Sequence, residues 1–556
     1  MITQIYHAHE WLYPDSVLAD TGSRRIELAG ARGGRVASQL LIRSLPASSA
    51  TTWNFAWHAG TLSDNEQLPI EVFRLADVLV NENTGPSYST VPNGTEAPYA
   101  TRPAPFRVYD VLVPVGSEFA RPDGDTLGLY VSWAIPIDLA PGDYHGTLTL
   151  SCGDDTLNYD VSLYIYEAVI PHRETLHTTN WHSNRNIASY HGLDEWSEDH
   201  WAMIRQYGEA MRRARQTHFI VGMDLIEVTR DGARYAFDFV RAKRYIELFL
   251  SLGFSWIEGG HLANRTGWSE PTFVLTYDRD IGATQPEGFA FLAQFLPAWH
   301  GFLSENGWLD CIVQHVADEP IAESAADFRI LCGIIRKLLP GVPLIEAIIE
   351  PHIEGAVDIW VPTNKGYDDH RAYFESLQQF GETFWFYTCW NPGGYYLNRF
   401  LDISLLKTRY LHWGNYKYGL AGYLHWGFNH YLNGQDPFEL TCPLLAPDVH
   451  AKRVPPGDTH IVYPGADGPL ISMRLEAMRA GCEDYELFRQ LSEADKALAD
   501  AICGEGMSSF TEVQADPDAF AALHLRLLEA VSGLLPAEAS LRAEAAAGAE
   551  IGGPDQ

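Results

Sequence analysis

CIVQHVADEP (residues 311–320), AADFRILCGIIRKLLP (325–340) and PLIEAII (343–349) together decide the fold. An apolar run of strand length is followed by a segment whose apolar residues recur at helical spacing, and then by a second apolar run. That order is a β-α-β unit, which joins parallel strands buried on both faces. The same texture continues in both directions. Further strands are predicted at LHTTNW (176–181), HFIVGM (218–223), SWIEGG (255–260), DIWVPT (358–363), TFWFYTCW (383–390) and GLAGYLHWG (419–427). Eight strands with intervening helices predict a (β/α)8 barrel over residues 171–435.

Before residue 171 the pattern changes to short alternating runs punctuated by Gly, Pro, Asn and Asp. FRVYDVLVPV (106–115), LGLYVSWAIPI (127–137), YHGTLTLSC (144–152) and LNYDVSLYIYEAVIP (157–171) are examples. Alternation with closely spaced turn signals predicts an antiparallel β-sandwich over 1–170, read as a non-catalytic module. Residues 436–535 form a loop rich in Pro and Gly and then a helical region, in which RLEAMRAGCEDYELF has the apolar spacing to pack on the barrel. The Ala-rich stretch 536–556 is expected to be a disordered tail.

The bulk properties agree with several cores. A chain of 556 residues should divide into two to four units. A formal charge of −33 repels phosphate, which argues against nucleic acid or an anionic membrane surface as partner; a neutral sugar would feel little of it. The seven cysteines include no C-x-x-C pair, so no disulfide framework or zinc site is suggested. No run of 18 apolar residues is present, and MITQIYHAHEWLYPDS lacks the apolar stretch of a signal peptide, so a cytoplasmic location is expected. The sequence leaves the oligomeric state open. His7 and His9, spaced as on a strand, read as surface residues rather than metal ligands. Asp123-Gly-Asp125 reads as a turn, since the other ligands of a calcium loop are missing. Asn93-Gly-Thr would be a glycosylation acceptor only in a secretory setting.

In such a barrel the functional side chains follow the carboxyl ends of the strands. Those ends carry Asn180-Trp181-His182, Glu258-Gly-Gly-His261 with Asn264, Asp318-Glu319-Pro320, Asn364-Lys365, Tyr387-Thr-Cys-Trp390-Asn391, and His425-Trp426 with Asn429 and His430. Polar groups interleaved with Trp and Tyr suit a glycan, whose hydroxyls ring an apolar C–H face. Each aromatic taken singly reads equally as core. Two adjacent carboxylates in a confined site repel, and one is pushed toward holding a proton near neutral pH. The alternative for the tripeptide is a helix cap or surface ion pair.

Neighbours on one strand end approach a sugar from the same side, whereas the two carboxyls of a retaining glycosidase are usually about 5 to 5.5 Å apart across the bond. The nucleophile therefore comes from elsewhere on the protein or from the substrate. In the second case a 2-acetamido group closes on C1 to give an oxazolinium ion. Asp318 then polarises the amide, and Glu319 is general acid and base.

WFYTCWNPGGYYLNRFLD (385–402), TRYLHWGNYKYGLAGYLHWGFNHY (408–431) and PPGDTHIVYPGADGPLISMRLEAMRAGCEDYELF (455–488) resemble the family known as domain of unknown function 4091, related to glycoside hydrolase family 123. The resemblance implies a sandwich followed by a catalytic barrel, and a retaining β-N-acetylgalactosaminidase that works by substrate assistance. It maps the family's Asp-Glu pair onto Asp318 and Glu319 and implies no cofactor. It also implies that Tyr387 meets the acetamido carbonyl and that Trp390 or Trp426 stacks on the sugar. Asn180, His261, Asn264, Asn364, His425 and Asn429 are candidate substrate ligands by strand-end position. Three rivals differ in chemistry: a protein nucleophile, Glu258 or Glu350, acting on a sugar without the acetamido group; a carbohydrate-binding protein without catalysis; and a metal site drawn from Asp318, Glu350 and Asp358.

Overall fold

Eight short parallel strands form the central sheet: β1 (His177–Asn180), β2 (His218–Val221), β3 (Trp256–Gly259), β4 (Ile312–His315), β5 (Leu344–Ile348), β6 (Ile359–Pro362), β7 (Thr383–Tyr387) and β8 (Gly422–His425). Each lies inside a stretch predicted from sequence. β8 pairs with β1 in register from His177↔Gly422 to Asn180↔His425. Between β1 and β2 the Thr217 amide donates to the Thr178 carbonyl at 3.1 Å, and the Thr178 amide to the Thr217 hydroxyl at 2.8 Å, which nearly closes the barrel. Alternate residues separate into two cores. Leu344 and Ile348 join the large cluster shared with the surrounding helices, while Ile345 and Ala347 pack with Val313, Val361, Trp385 and Leu424 in a second cluster. The computed structural model describes residues 1–549 apart from 20–21, 47–49, 59–67, 121–123, 433 and 446–451, with 535–549 described by backbone alone.

The amino-terminal region is two facing sheets of seven and five strands, with Leu40, Val131, Trp133, Leu148 and Leu163 among the residues buried between them. Pairing is antiparallel except where Arg25–Arg32 runs parallel to Asp155–Val169. The larger sheet also takes in Tyr463–Pro464 and Pro469–Ser472, so it draws on sequence well beyond residue 170. His7 bonds Asp518 at 2.9 Å, and His9 the Pro517 carbonyl at 3.3 Å, so both imidazoles serve the junction with the carboxyl-terminal helix. Asp123 of the Asp-Gly-Asp turn lies outside the described residues.

Three helices bind the parts together: α1 (Leu405–Tyr418), α2 (Met473–Gly506) and α3 (Pro517–Ala549). The expected tail, 536–556, lies in the backbone-only end of α3 and, from 550, outside the described residues. Among the described residues no helix is long and apolar enough to cross a membrane. Ser472 caps α2 by accepting the Leu475 amide at 3.1 Å, and Asp484 of α2 accepts Arg409 at 2.7 and 2.8 Å and the Trp413 indole at 2.8 Å from α1.

Arg474, in the first turn of α2, is fully buried and lies 2.9 Å from the equally buried Asp110 of the sandwich strand Phe106–Pro114. Its guanidinium also donates to the carbonyls of Arg399 at 3.1 Å and Gly457 at 2.7 Å. One side chain thus joins sandwich, barrel loops and carboxyl-terminal helix. Removing one member of a buried pair leaves the other charge without compensation, at a cost of about 3–5 kcal/mol. Arg474→Met and Asp110→Ala should each lower unfolding free energy by that amount in urea titrations, and the double variant should lose much less than the sum.

Candidate active site

The floor of the barrel mouth is a chain of buried charges. Glu258 at the end of β3 accepts from the Thr179 hydroxyl at 2.7 Å, the Trp181 indole at 2.8 Å and His315 Nε2 at 2.6 Å. The other ring nitrogen of His315 bonds Glu346 of β5 at 3.0 Å, and His261 reaches the same oxygen at 3.1 Å. The β4–β5 ladder ends at His315↔Ile345, and the second oxygen of Glu346 accepts the Val316 and Ala317 amides at 2.8 Å each. Burial pulls the His315 imidazole down, but Glu346 and Glu258 outweigh it and hold the ring up at about 10. Burial works against Glu346 too; His261 and His315 overcome it and keep that carboxyl well below its ordinary value.

Above this floor stand Asp318 and Glu319, on the turn that follows β4. Glu319 has φ of +48°, a left-handed conformation that costs a residue with a side chain about 1–2 kcal/mol. It is held there by its amide, which donates to the Ala347 carbonyl at 3.1 Å, and by Arg265, which donates to its carbonyl at 2.8 Å. The turn places the two carboxyls in different surroundings. Asp318 is exposed to the cleft, yet the protein crowding around it and the charge of Glu346 raise its carboxyl above the ordinary range, against His261, His315 and Arg265. Glu319 is half-buried and accepts a short hydrogen bond from the Tyr387 hydroxyl. Desolvation and Asp318 push Glu319 up to about 8, opposed by Tyr387 and Arg265. One carboxyl therefore carries a proton at neutral pH beside another that faces solvent.

Aromatic rings rim the mouth. Trp181, Trp390 and Trp426 pack against the inner cluster while remaining partly accessible. Trp426 is fixed by its indole, which donates at 2.9 Å to Asp458, a residue delivered by the segment beyond the barrel. Burial pushes Asp458 up to about 7 and lowers the neighbouring His425, 3.2 Å away.

Residues 181–491 match the glycoside hydrolase 123 catalytic domain, more than half of the chain. The chain belongs to glycoside hydrolase family 123. It is therefore a glycosidase. Among solved structures it is similar to a family 123 glycoside hydrolase from Clostridium perfringens described for glycolipid glycan hydrolysis. That chain is 15% identical, and the match covers 97% of this chain and 99% of that one at a TM-score of 0.72, which establishes the shared sandwich-and-barrel fold. A β-galactosidase from the psychrophilic Marinomonas ef1, 9% identical over 59% of this chain and 62% of that one, has a TM-score of 0.37 and bears on neither fold nor function. No curated protein matches the chain in sequence.

The candidate residues of this family 123 enzyme fall into two groups. Asp318, Glu319, Tyr387, His261, Trp390 and Trp426 converge on the mouth, as described. The asparagines are engaged elsewhere. Asn180 accepts from the buried Arg399 at 2.8 Å and donates to Gln216 at 3.2 Å; Asn264 donates to Thr276 at 2.7 Å. Asn364 is buried against the Leu397 carbonyl at 2.9 Å, and Asn429 exchanges two hydrogen bonds with the Ser183 backbone at 2.8 and 3.2 Å. His425 is buried and accepts the Gly427 amide at 3.0 Å. Tyr387, expected at an acetamido carbonyl, donates to Glu319.

Sequence reasoning missed His315, Glu346, Arg265 and Asp458. The signal for the first two was a charged residue inside an otherwise apolar strand, in CIVQHVA and PLIEAII. The rival nucleophiles are placed poorly for attack: Glu258 has both oxygens occupied by donors, and Glu350 accepts the His352 amide at 2.9 Å in the loop after β5. Asp358 precedes β6, pairs with Arg336 at 2.9 Å and accepts the Leu344 amide at 2.7 Å, away from the mouth. Among the described residues, His261, His315 and Glu346 bring donor atoms within 4.8 Å of one another. An imidazole held between two carboxylates has both nitrogens protonated and offers no lone pair to a metal.

The raised imidazole of His315 makes stability depend on pH. Because the folded value lies above the ordinary 6.5, the contribution is complete below pH 6.5 and is lost as pH rises through about 10. The Tm advantage of wild type over His315→Gln should shrink steadily between pH 7 and 10.5; a constant gap would mean that the ring is neutral throughout.

Proposed function

We propose that the enzyme is a retaining β-N-acetylhexosaminidase, N-acetyl-β-galactosaminidase-like, acting by substrate assistance. The observation that carries this reading is the pair itself: Glu319 raised to about 8 beside a cleft-facing Asp318, above a floor whose other carboxylates are consumed by donors. Glu319 holds the proton that the leaving oxygen needs. Asp318 has no hydrogen bond to the described residues and is available to orient an amide N–H. The carbonyl oxygen of the 2-acetamido group attacks C1 as the glycosidic C–O bond breaks, and Glu319 passes its proton to the departing oxygen. Glu319, now anionic, takes a proton from water as that water opens the oxazolinium ion, and retention follows from the two displacements. Tyr387, which donates to Glu319, is the hydroxyl beside the acid that would turn to the acetamido carbonyl of a bound sugar. The Clostridium perfringens enzyme's described action on glycolipid glycans supports a glycan as substrate.

Hydrolysis of nitrophenyl N-acetyl-β-galactosaminide and N-acetyl-β-glucosaminide beside their 2-hydroxy counterparts tests the route. Turnover should be confined to the N-acetyl sugars, inhibited by a thiazoline mimic of the oxazolinium ion, and reduced about 10²–10⁴-fold in Asp318→Asn. Turnover of a 2-hydroxy sugar would place the nucleophile on the protein.

The acid role has its own signature. With Glu319 protonated below about 8, kcat/KM should fall on the alkaline side through that pH. Glu319→Gln should abolish this limb and the hydrolysis of substrates with poor leaving groups, while sparing part of the rate on activated aryl glycosides. Equal loss on both substrate classes would rule out an acid.

A further inference from the structure

The segment between the sandwich strands Ile70–Val80 and Phe106–Pro114 does not stay with the sandwich. It crosses to the barrel mouth as a small hairpin of Asn83–Thr84 and Thr90–Val91. Its seat is built with care. Buried Asp402, from the loop between β7 and α1, accepts the Thr84 amide at 2.7 Å, the Thr84 hydroxyl at 2.7 Å and the Asn83 side chain at 3.2 Å. Tyr99 donates to the Thr84 carbonyl at 2.9 Å, and the Gly394 amide to the Gly85 carbonyl at 3.2 Å. Gly393 lies so close that a Cβ there would stand 2.0 Å from the Gly85 oxygen.

At the hairpin tip Tyr88 enters the cleft. Ser87 and Tyr88 line a cavity of about 370 Å³ together with Glu319, Tyr387, Lys365 and Asp369. Asp318 does not line it. The Tyr88 ring stands edge-on to Trp390, with centroids 6.2 Å apart and planes at 89°, and 41% of the residue is exposed. Burial and the nearby Glu319 carboxyl raise its phenol. The volume lies within the range of small-ligand sites, about 300–1,000 Å³.

We propose that this cavity is the leaving-group subsite and that Tyr88, supplied by the amino-terminal sandwich, selects for a sugar ring in it. The proposal rests on Glu319 as general acid. An acid must reach the glycosidic oxygen, which bridges the two sugars, so a cavity that borders Glu319 and excludes Asp318 starts at that bond, where Tyr387 is shared with the acetamido side, and extends away from the carboxylate that orients the amide. An accessible phenol ring offers a face for the C–H surface of a pyranose, and Lys365 and Asp369 offer a donor and an acceptor for its hydroxyls. The sandwich is then part of the cleft rather than a separate glycan-binding module.

The test compares an N-acetyl-β-galactosaminyl disaccharide with N-acetyl-β-galactosaminyl fluoride, whose leaving group has no ring. Any misfolded fraction cancels in the ratio of the two kcat/KM values. Tyr88→Ala should lower that ratio about tenfold, and Tyr88→Phe, which keeps the ring, should restore most of it. Gly393→Ala, which touches no substrate but displaces the hairpin, should lower the ratio in the same direction. An unchanged ratio in Tyr88→Ala, with Glu319→Gln behaving as an acid variant should, would overturn the subsite alone. Equal loss in Glu319→Gln on good and poor leaving groups would overturn the reading beneath it as well.

Discussion

A protonated imidazole held between two carboxylates, Glu258–His315–Glu346, is the constraint on which the active end of this barrel depends. The three residues sit on β3, β4 and β5, and Thr179 and Trp181 extend the contact to β1. Four strand ends are fixed by one network whose three charged members are fully buried. Buried charges are tolerated only where each is compensated and hydrogen-bonded, and here the donors and acceptors almost match. The Val316 and Ala317 amides, freed where the β4–β5 ladder stops, are absorbed by Glu346. The same residue that neutralises His315 thus satisfies the backbone that leads into the Asp-Glu turn.

The electrostatics of the mouth follow from that floor. Desolvation raises both carboxyls; around Asp318 the opposed charges of Glu346 on one side and His261, His315 and Arg265 on the other come next, whereas around Glu319 the next influence is Asp318 itself. Two residues adjacent in sequence consequently differ in environment, the condition under which neighbouring carboxyls can take different roles in one site. The left-handed backbone at Glu319 accompanies a carboxyl that meets the Tyr387 hydroxyl. The rest of the molecule supports this arrangement from a distance. Arg474 and Asp110 lock the sandwich to the segment that carries Asp458, and Asp458 in turn holds Trp426.

The barrel was legible because parallel strands buried on both faces leave a plain trace: continuous apolar runs separated by helical periodicity. All eight observed strands fall within the predicted runs. The Asp-Glu pair was legible because acidic neighbours at a strand end are conspicuous. Side-chain direction was not. Asn180, Asn364 and Asn429 occupy strand-end positions, but an amide that both donates and accepts is well suited to internal bonding: Asn364 and Asn429 satisfy loop backbone, and Asn180 joins the Arg399 and Gln216 side chains. The sandwich's dependence on residues 463–472 and its projection of Tyr88 into the cleft are long-range pairings, which local patterning cannot register.

The floor also bears on where a nucleophile can come from. A carboxylate that attacks an anomeric carbon needs a free lone pair directed at it and loses its charge as the bond forms. Glu258 has every nearby donor already pointed at it, and neutralising it would leave the His315 imidazolium without one of its two counter-ions in a medium that penalises unpaired charge. Glu346 is more constrained, since five donors from His261, His315, Val316, Ala317 and Ala347 converge on it. The charges that make the floor rigid thereby make it chemically unavailable. Asp318, exposed and without a hydrogen bond to the described residues, is the carboxylate of the pair that the floor leaves uncommitted, and under the proposed route its position beside Glu319 rather than across from it favours polarising an amide over attacking carbon.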